Sequence, residues 1–311
     1  MTLALVFPGQ GSQSVGMLAE LAGEFPQVEQ TFAEASAALG YDLWQLVQNG
    51  PESELQLTAV TQPAMLTAGV AVWRAWLAAG GPQPAVMAGH SLGEYSALVC
   101  AGALPFAQAV QLVRQRGEFM QKAVPVGAGA MAAVPGLDRA AVEAACASAA
   151  TADETVAVAN YNAPPQSVIA GHTAAVQRAS AAAQAAGAKR VVPLPVSAPF
   201  HCALMRPAAA ALTPALEAAS ITPPTVPVIN NVDVATVSDP AAIRDALIRQ
   251  IYSPVRWVEV IEAMAAQGVT RVIECGPGKV LAGLTRRICG ELDSLAVQDP
   301  ASLRQALGTL G

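Results

Sequence analysis

The sequence predicts an α/β protein with a large parallel-sheet body and a smaller subdomain inserted into it. The first observation behind this prediction is that short strand-like runs, each followed by a glycine turn and a helical pattern, recur at Leu3–Phe7, Ala85–Ala88 and Arg271–Cys275. Strands that alternate with helices are typical of a parallel sheet with flanking helices. The second observation is a change of pattern in the middle of the chain, where the elements follow the order βαββαβ.

The middle segment contains predicted strands and helices in the chain order Gly129–Val134 (strand), Asp138–Ala149 (helix), Val156–Asn160 (strand), Ser167–Ala170 (strand), Thr173–Ala186 (helix) and Lys189–Leu194 (strand). This order is the ferredoxin-like pattern. It begins after a turn-prone segment at 125–129 and ends at Pro195. We therefore predict a ferredoxin-like subdomain at residues 127–196, with residues 1–126 and 197–311 forming the larger body.

Composition and charge exclude several classes of function. The sequence has no run of about 18 consecutive apolar residues, the length that a membrane helix needs, and its first residues contain no basic leader. We therefore expect a cytoplasmic protein that does not span a membrane. A formal net charge of −6 disfavours nucleic acid, whose phosphates require a basic face. Five cysteines without C-x-x-C spacing and three histidines predict neither a disulfide framework nor a metal site.

A candidate nucleophile lies in the segment Gly89-His-Ser-Leu-Gly93, between an apolar strand and the helical segment Glu94–Ala101. A serine on a sharp strand-to-helix turn projects its hydroxyl above the sheet, and small residues on either side let the chain bend. The backbone N–H groups of the new helix can stabilise an oxyanion there. The structural alternative is a glycine turn with a helix-capping serine. With Ser91 as nucleophile, the larger body is predicted to be α/β-hydrolase-like and catalytic.

A serine nucleophile needs a base, and the chain has three histidines. His90 adjoins Ser91 and is expected to point away from it in a structural role, while His172 is expected to cap a helix. His201 lies between a strand-like segment and a helical stretch, where α/β active sites form, and is the predicted base. A helix amino terminus near His201 is expected to keep its imidazole neutral near pH 7.

The group that orients His201 is left open by the sequence. Asp233, Asp239 and Asp245 all have surface or helical contexts, so a catalytic triad is not evident. The alternative is a backbone carbonyl at the end of the predicted helix Ala241–Ile251, just before Ser253-Pro254, because the last carbonyls of a helix have no intrahelical partner.

One arginine interrupts an apolar helix face. In the predicted helix Pro105–Lys122, Arg116 lies within the stripe that also contains Val113 and Met120. A buried guanidinium requires an anionic partner, which is either a carboxylate of the protein or a ligand. Periodicity favours neither. A substrate carboxylate would be held by two parallel hydrogen bonds, which would select a short dicarboxylic thioester.

A glycine loop, Pro8-Gly-Gln-Gly-Ser-Gln13, follows the first strand. A dinucleotide site is disfavoured because the third glycine of that motif is Ser14 and no strand-end acid follows at the expected distance. Beside a serine on a strand-to-helix turn, the loop is better suited to bring the Gln10 backbone close to the substrate carbonyl as one wall of an oxyanion hole.

In combination, eight motifs indicate a family over nearly the whole chain: Phe7-Pro-Gly-Gln-Gly-Ser-Gln13, Thr61-Gln-Pro-Ala64, Gly89-His-Ser-Leu-Gly-Glu-Tyr-Ser96, Arg116-Gly-Glu-Phe-Met120, Asn160-Tyr-Asn162, His201-Cys-Ala-Leu-Met205, Asn230-Asn-Val-Asp233 and Glu274-Cys-Gly-Pro-Gly-Lys279. With them, the chain resembles the malonyl-CoA:acyl carrier protein transacylases of bacterial fatty acid synthesis. The resemblance implies these roles: Ser91 as nucleophile, His201 as base, Arg116 for the malonyl carboxylate, Gln10 and Leu92 as oxyanion donors, the Gln250 carbonyl for histidine orientation, and Gln62, Asn162 and Phe200 at the pocket. Phe200 resembles the aromatic residue of malonyl-selective polyketide domains, whose bulk disfavours an α-methyl branch.

We thus predict transfer of malonyl from malonyl-CoA to the phosphopantetheine thiol of acyl carrier protein, through a malonyl ester on Ser91, without metal or cofactor and as a monomer. The first alternative is a serine thioesterase or hydrolase with water as acceptor. A second is a malonyl-loading subunit for polyketide synthesis or malonate decarboxylation. A third is a thioester-binding module with a vestigial serine, which the joint presence of Ser91, His201 and Arg116 disfavours.

Overall fold

The structure is a computed structural model that describes residues 2–196 and 198–310. Its strands are β1 (Leu3–Phe7), β2 (Val86–Gly89), β3 (Gly129–Pro135), β4 (Val156–Ala163), β5 (Gln166–His172), β6 (Val192–Pro193), β7 (Val228–Ile229), β8 (Arg271–Cys275) and β9 (Asp293–Val297).

The helices are α1 (Ala19–Glu24), α2 (Gln27–Leu39), α3 (Leu43–Asn49), α4 (Glu52–Leu55), α5 (Thr58–Ala78), α6 (Gly93–Cys100), α7 (Phe106–Lys122), α8 (Arg139–Ala149), α9 (Thr173–Ala185), α10 (Arg206–Ala218), α11 (Pro240–Gln250), α12 (Trp257–Ala266), α13 (Val280–Ile288) and α14 (Pro300–Gly308). A short 3-10 turn at Ala203–Met205 leads into α10.

The larger sheet has the strand order β7-β2-β1-β8-β9, and every neighbouring pair is parallel. Helices cover both of its faces. Leu5 and Phe7 of β1 pack into a core with α2 and α5, whereas Ala4 and Val6 pack on the opposite side against Trp257 and other residues of α12 and α13. A strand buried on both faces reads as a continuous apolar run, which explains why the sequence pattern located β1.

The smaller sheet is antiparallel, with the order β4-β5-β3-β6. Helices α8 and α9 pack on it through a separate apolar core that includes Val134, Val142 and Val176. The prediction of an α/β fold with a ferredoxin-like part is confirmed. Its last strand is shorter than predicted, Val192–Pro193 in place of Lys189–Leu194, because prolines at 193 and 195 cannot donate to a strand ladder.

The proposed division into residues 1–126 with 197–311, and 127–196, stays a prediction. Residues 1, 197 and 311, at the ends of those ranges, lie outside the described residues. Among the helices that the structure describes, none combines the length and apolar character that a bilayer crossing requires.

Candidate active site

Ser91 lies on the tight turn between β2 and α6, the arrangement that the sequence predicts. Its backbone is left-handed, with φ of 53°, which is unusual for a residue other than glycine. The two flanking positions, 89 and 93, require glycine because neighbouring backbone atoms leave no room for a Cβ. A Cβ on Gly89 would lie 1.8 Å from the carbonyl carbon of Gly93, and a Cβ on Gly93 would lie 2.0 Å from the oxygen of Phe7. The turn is therefore packed directly on β1.

Asn231, buried beside β7, fastens this turn. The backbone N–H of Ser91 donates to Asn231 Oδ1 at 2.7 Å, and Asn231 Nδ2 donates to the oxygen of Gly89 at 2.8 Å. Since the Ser91 N–H is already engaged, an oxyanion must be held by other donors. Asn231 was not among the predicted site residues, and its one signal in the sequence was the Asn230–Asp233 motif.

His201 is in hydrogen-bond contact with the nucleophile. Its Nε2 lies 2.7 Å from Ser91 Oγ, and its Nδ1 lies 2.9 Å from the main-chain oxygen of Gln250. A carbonyl oxygen can only accept, so Nδ1 carries the proton and Nε2 accepts from the Ser91 hydroxyl. Burial, with a further contribution from the charge of Arg116, lowers the pKa of His201 to about 3. The imidazole is therefore neutral at pH 7, chiefly through burial.

The carbonyl that receives the His201 N–H is free because of the sequence that follows it. Gln250 is the last residue of α11, and the residue four positions later is Pro254, which has no N–H to donate. The structure thus supports the backbone-carbonyl alternative.

The three aspartates considered for orienting the histidine have other partners. Asp233 and Asp245 both pair with Arg249, at 2.7 and 2.6 Å. Asp239 caps α11 by accepting from the backbone N–H of Ala242. A triad with any of these acids is therefore not formed.

Arg116, only 1% exposed, points from α7 towards the nucleophile. One terminal nitrogen donates to Gln62 Oε1 at 2.8 Å. The other donates to Gln250 Oε1 at 2.8 Å and to Ser91 Oγ at 3.2 Å. Within the described residues, no carboxylate forms an ion pair with Arg116. Of the two alternatives for the partner of Arg116, a carboxylate of the protein is therefore not observed. Burial lowers the pKa of the guanidinium.

The serine, imidazole and guanidinium line one cavity. Its lining comprises Gln10, Gln62, His90, Ser91, Leu92, Arg116, Met120, Met131, Asn160, Leu194, Val196, Phe200 and His201. One side is polar and reactive, and the other is an apolar wall that includes Met120, Met131 and Phe200. Such a cavity has room for a short acyl group with a carboxylate at one end and a reacting carbonyl at the other.

Gln10 and Leu92, the two residues predicted to supply oxyanion donors, have backbone N–H groups without a hydrogen-bond partner in the described part of the chain. Both residues line the cavity. The loop that carries Gln10 approaches the Ser91 turn closely, since a Cβ on Gly9 would lie 2.6 Å from the oxygen of His90. Glycine at position 9 thus serves the packing of this loop on the turn.

Comparison with known proteins identifies the family. The family described as acyl transferase domain matches residues 4–302. The malonyl CoA-acyl carrier protein transacylase of Salmonella typhimurium is 61% identical over 304 residues, which cover 98% of each chain. The Escherichia coli protein of the same name is 60% identical over the same length and coverage. The chain belongs to the malonyl CoA-acyl carrier protein transacylase family.

Solved structures of transacylases of this kind have the same fold. An acyl carrier protein S-malonyltransferase from Vibrio cholerae superimposes with a TM-score of 0.97 and 58% identity, over 98% of this chain and 100% of that chain. A malonyl-transacylase in complex with its type II PKS acyl-carrier protein superimposes with a TM-score of 0.98 and 56% identity, over 99% and 100% of the two chains.

The resemblance to the transacylases predicted Asn162 of β4 as a pocket residue, but a second asparagine of the same strand occupies that position. Asn160 lines the cavity, whereas Asn162 is not among the lining residues, and its Oδ1 lies 2.8 Å from Nε2 of His90. Asn162 therefore contacts His90, a residue of the cavity lining, and not the cavity itself. Asn160 belongs to the same sequence motif but was not among the predicted site residues.

The other two histidines have structural contacts in this transacylase fold. His90 bonds to Asn162, and its ring lies against that of Trp257, with centroids 5.5 Å apart. His172 stands at the first position before α9, but its side chain does not cap the helix. Its Nδ1 accepts from the backbone N–H of Thr155 at 2.9 Å, so the predicted capping role is wrong. Within the described part of the chain, no group of three or more His, Cys, Asp or Glu is placed to hold a metal ion.

Proposed function

We propose that this protein is an acyl carrier protein S-malonyltransferase, which moves malonyl from malonyl-CoA to the phosphopantetheine thiol of acyl carrier protein through an ester on Ser91. The observation that carries the proposal is the buried guanidinium of Arg116, which has neutral partners and lies 3.2 Å from Ser91 Oγ. A carboxylate bound there would form a direct ion pair with Arg116 and would put the other end of a three-carbon diacid next to the nucleophile.

In the first half-reaction, His201 Nε2 takes the proton of the Ser91 hydroxyl while Oγ attacks the thioester carbon. The negative charge that develops on the carbonyl oxygen is held by the backbone N–H groups of Gln10 and Leu92. When the tetrahedral intermediate collapses, the carbon–sulfur bond breaks, and His201 returns its proton to the sulfur of coenzyme A. The products are the malonyl ester of Ser91 and free coenzyme A.

The second half-reaction is the reverse with another thiol. His201 takes the proton of the pantetheine thiol of the carrier protein, whose sulfur attacks the ester carbonyl in the same oxyanion hole. Collapse breaks the bond to Ser91 Oγ, which regains its proton from His201. The proposal requires no metal or cofactor, because a thioester is already activated for acyl transfer.

Acyl selectivity is proposed to come from two sides of the cavity. Arg116 favours acyl groups that end in a carboxylate, while Gln62 and Gln250 hold the guanidinium in the orientation that receives it. The aromatic ring of Phe200, on the apolar wall, is proposed to leave little room for an α-methyl branch.

The carrier protein as acceptor is supported by the solved complex of a related malonyl-transacylase with its type II PKS acyl-carrier protein. We propose fatty acid elongation as the pathway that this protein supplies. The polyketide and malonate-decarboxylation alternatives share the chemistry and differ in the acceptor. The monomeric state and the cytoplasmic location stay predictions from the sequence.

The test is intact-mass analysis of the protein after mixing with malonyl-CoA. We expect a malonyl adduct on the wild type and none on Ser91→Ala. Addition of carrier protein bearing phosphopantetheine should remove the adduct and malonylate the carrier, whereas carrier protein without the prosthetic group should not. An adduct that persists in Ser91→Ala would exclude Ser91 as the nucleophile, and rapid release of free malonate without any carrier would favour the hydrolase.

A further inference from the structure

The side chain of Gln250 connects three groups of the site. Its Oε1 accepts from Arg116 at 2.8 Å, while its Nε2 donates to the main-chain oxygen of Ser91 at 3.0 Å and to Glu94 Oε2 at 2.8 Å. The main-chain oxygen of the same residue accepts from His201. Gln250 therefore sets the position of the guanidinium through its side chain and that of the imidazole through its backbone.

The two ends of an amide have nearly the same shape, so the orientation of Gln250 depends on its partners. Turned end for end, its NH2 group would face the guanidinium of Arg116, which has only donors. Its oxygen would then face the carbonyl of Ser91 and the ionised carboxyl of Glu94, which have only acceptors. All three hydrogen bonds would be lost, and Arg116 would be pushed away from its present position.

We propose that Glu94 is a positioning residue that fixes the Gln250 amide with its oxygen towards Arg116, and thereby holds the guanidinium ready for the substrate carboxylate. The inference rests on the malonyl transfer proposed above. Glu94 lies in the first turn of α6 and is only 2% exposed. Its Oε2 accepts from Gln250 Nε2 and, at 2.9 Å, from the backbone N–H of Asn231. It is thus a buried acceptor shared by the amide and by the residue that fastens the Ser91 turn.

The geometry assigns this role to the acceptor oxygen of Glu94 and not to its charge. The carboxyl reaches Arg116 through the intervening amide, without a direct ion pair. Burial raises the pKa of Glu94 to about 7, although its two hydrogen bonds and Arg116 act in the opposite direction. Near neutral pH part of the population is protonated, and a protonated carboxyl still has one oxygen that accepts.

The test compares four variants by the single-turnover rate of Ser91 acylation, followed by intact mass with malonyl-CoA and with acetyl-CoA. Glu94→Met removes the acceptor, Glu94→Gln keeps one, and Gln250→Met removes the amide while leaving the main-chain carbonyl. The fourth variant combines Glu94→Met with Gln250→Met. We expect Glu94→Met to slow malonylation by roughly tenfold or more and acetylation by less, since buried donors lose their acceptor. Glu94→Gln should stay within about threefold of the wild type, because it keeps the acceptor.

The double variant isolates the route through the amide. If Glu94 acts on Arg116 through Gln250, the double variant should have the same ratio of malonylation to acetylation rates as Gln250→Met alone. The hydrogen bond of Glu94 to the backbone N–H of Asn231, which the double variant also loses, supports the Ser91 turn and should affect both acyl groups alike. A double variant whose malonyl-to-acetyl ratio falls further than that of Gln250→Met would overturn the proposal. So would a Glu94→Gln variant as slow as Glu94→Met, or equal losses for malonyl and acetyl groups.

Two controls keep the result interpretable. Circular dichroism checks that each variant is folded at the assay temperature, and Glu94→Asp, which withdraws the acceptor by one methylene, replaces Glu94→Met if that variant is unfolded. The wild type and Ser91→Ala are measured in parallel. A wild type that takes up no malonyl would overturn the proposed function itself, whereas the outcomes above, with an active wild type, overturn only the role of Glu94.

Discussion

At the residue scale, Arg116 is a buried charge with no direct ion pair among the described residues. Its terminal nitrogens bond to Gln62, Gln250 and Ser91, all neutral. Neutral acceptors compensate part of the desolvation of a guanidinium, but a carboxylate ligand compensates more. The substrate carboxylate is therefore expected to gain most of its binding and orientation from this one residue.

Arg116→Ala should lose malonyl transfer by roughly a hundredfold or more, because a charge-assisted pair is removed, while acetyl transfer falls less. The measurement is the rate of acyl-enzyme formation from malonyl-CoA and acetyl-CoA. The matched control is Arg114→Ala on the same helix, since Arg114 is half-exposed and pairs with Glu118. Equal losses for the two acyl groups would contradict the assigned role.

His201 gives a prediction about pH. Burial, aided by Arg116, lowers its pKa from 6.5 to about 3. The imidazole loses its ability to accept a proton only below its own pKa, so activity should persist as the pH falls through 6.5. We expect the single-turnover acylation rate to stay within about threefold from pH 8 to about pH 5. An inflection near the ordinary histidine pKa that is also present in Glu94→Gln would disprove this. Of the two carboxyls in the described residues whose pKa burial raises to about 7, that variant removes the one in contact with the site, whereas Glu274 accepts from the backbone of α13.

The sequence located the reacting residues better than the residues that hold them. Ser91 and Arg116 carry strong local signals, a turn with flanking glycines and a cation within an apolar stripe. Asn231 and Glu94 lie within two of the family motifs but carry no local signal of their roles, because those roles lie in contacts with residues more than a hundred positions away. The motif alone does not show which of Asn160 and Asn162 faces the cavity. The alternation of a regular strand does not decide it either, because β4 contains register shifts.

At the element scale, the connection between β2 and α6 is held by direct backbone contact with β1. Gly93→Ala should strongly destabilise the protein, because the new Cβ would lie 2.0 Å from the Phe7 oxygen. Gly283→Ala is the matched control. Gly283 lies inside α13 with nothing within 4 Å of an added methyl, so alanine there should raise the free energy of unfolding by up to about 1 kcal/mol.

The measurement for this pair is denaturant-induced unfolding followed by circular dichroism. The expected order of unfolding midpoints is Gly283→Ala at or above the wild type, and Gly93→Ala well below it or insoluble. A Gly93→Ala protein as stable as the wild type would mean that the turn can move away from β1.

In the larger sheet, the sequence predicted well the strands that lie next to a glycine and did not predict the other two. Strands β1, β2 and β8 appear within one residue of their expected bounds, because each is a strand-like run with a glycine turn after it. Strand β7 has two residues, too few for any periodicity, and β9 begins with the exposed Asp293 and has two half-buried positions, so neither was predicted. Their places in the sheet are set by pairing with β2 and β8.

At the scale of the whole molecule, the cavity lies where the two sheets meet. Ser91 and Leu92 come from the end of a strand of the larger sheet, whereas Met131 and Asn160 come from strands of the smaller one. A ligand in the cavity therefore contacts both parts. Because a ligand that binds only the folded state stabilises it by mass action, binding should be measurable as resistance to unfolding.

The last prediction uses this coupling with Ser91→Ala, which is expected to bind thioesters without being acylated. At equal concentrations, malonyl-CoA should raise its thermal unfolding midpoint by about 2–4 °C more than acetyl-CoA does, since only malonyl supplies a carboxylate to Arg116. Adding Arg116→Ala should remove this difference, and adding Arg114→Ala should leave it. If the two ligands shift the midpoint equally in Ser91→Ala, the carboxylate is not recognised in the bound ground state. Arg116 would then act only once the carbonyl begins to react, because a contact made equally in both states would already appear as binding.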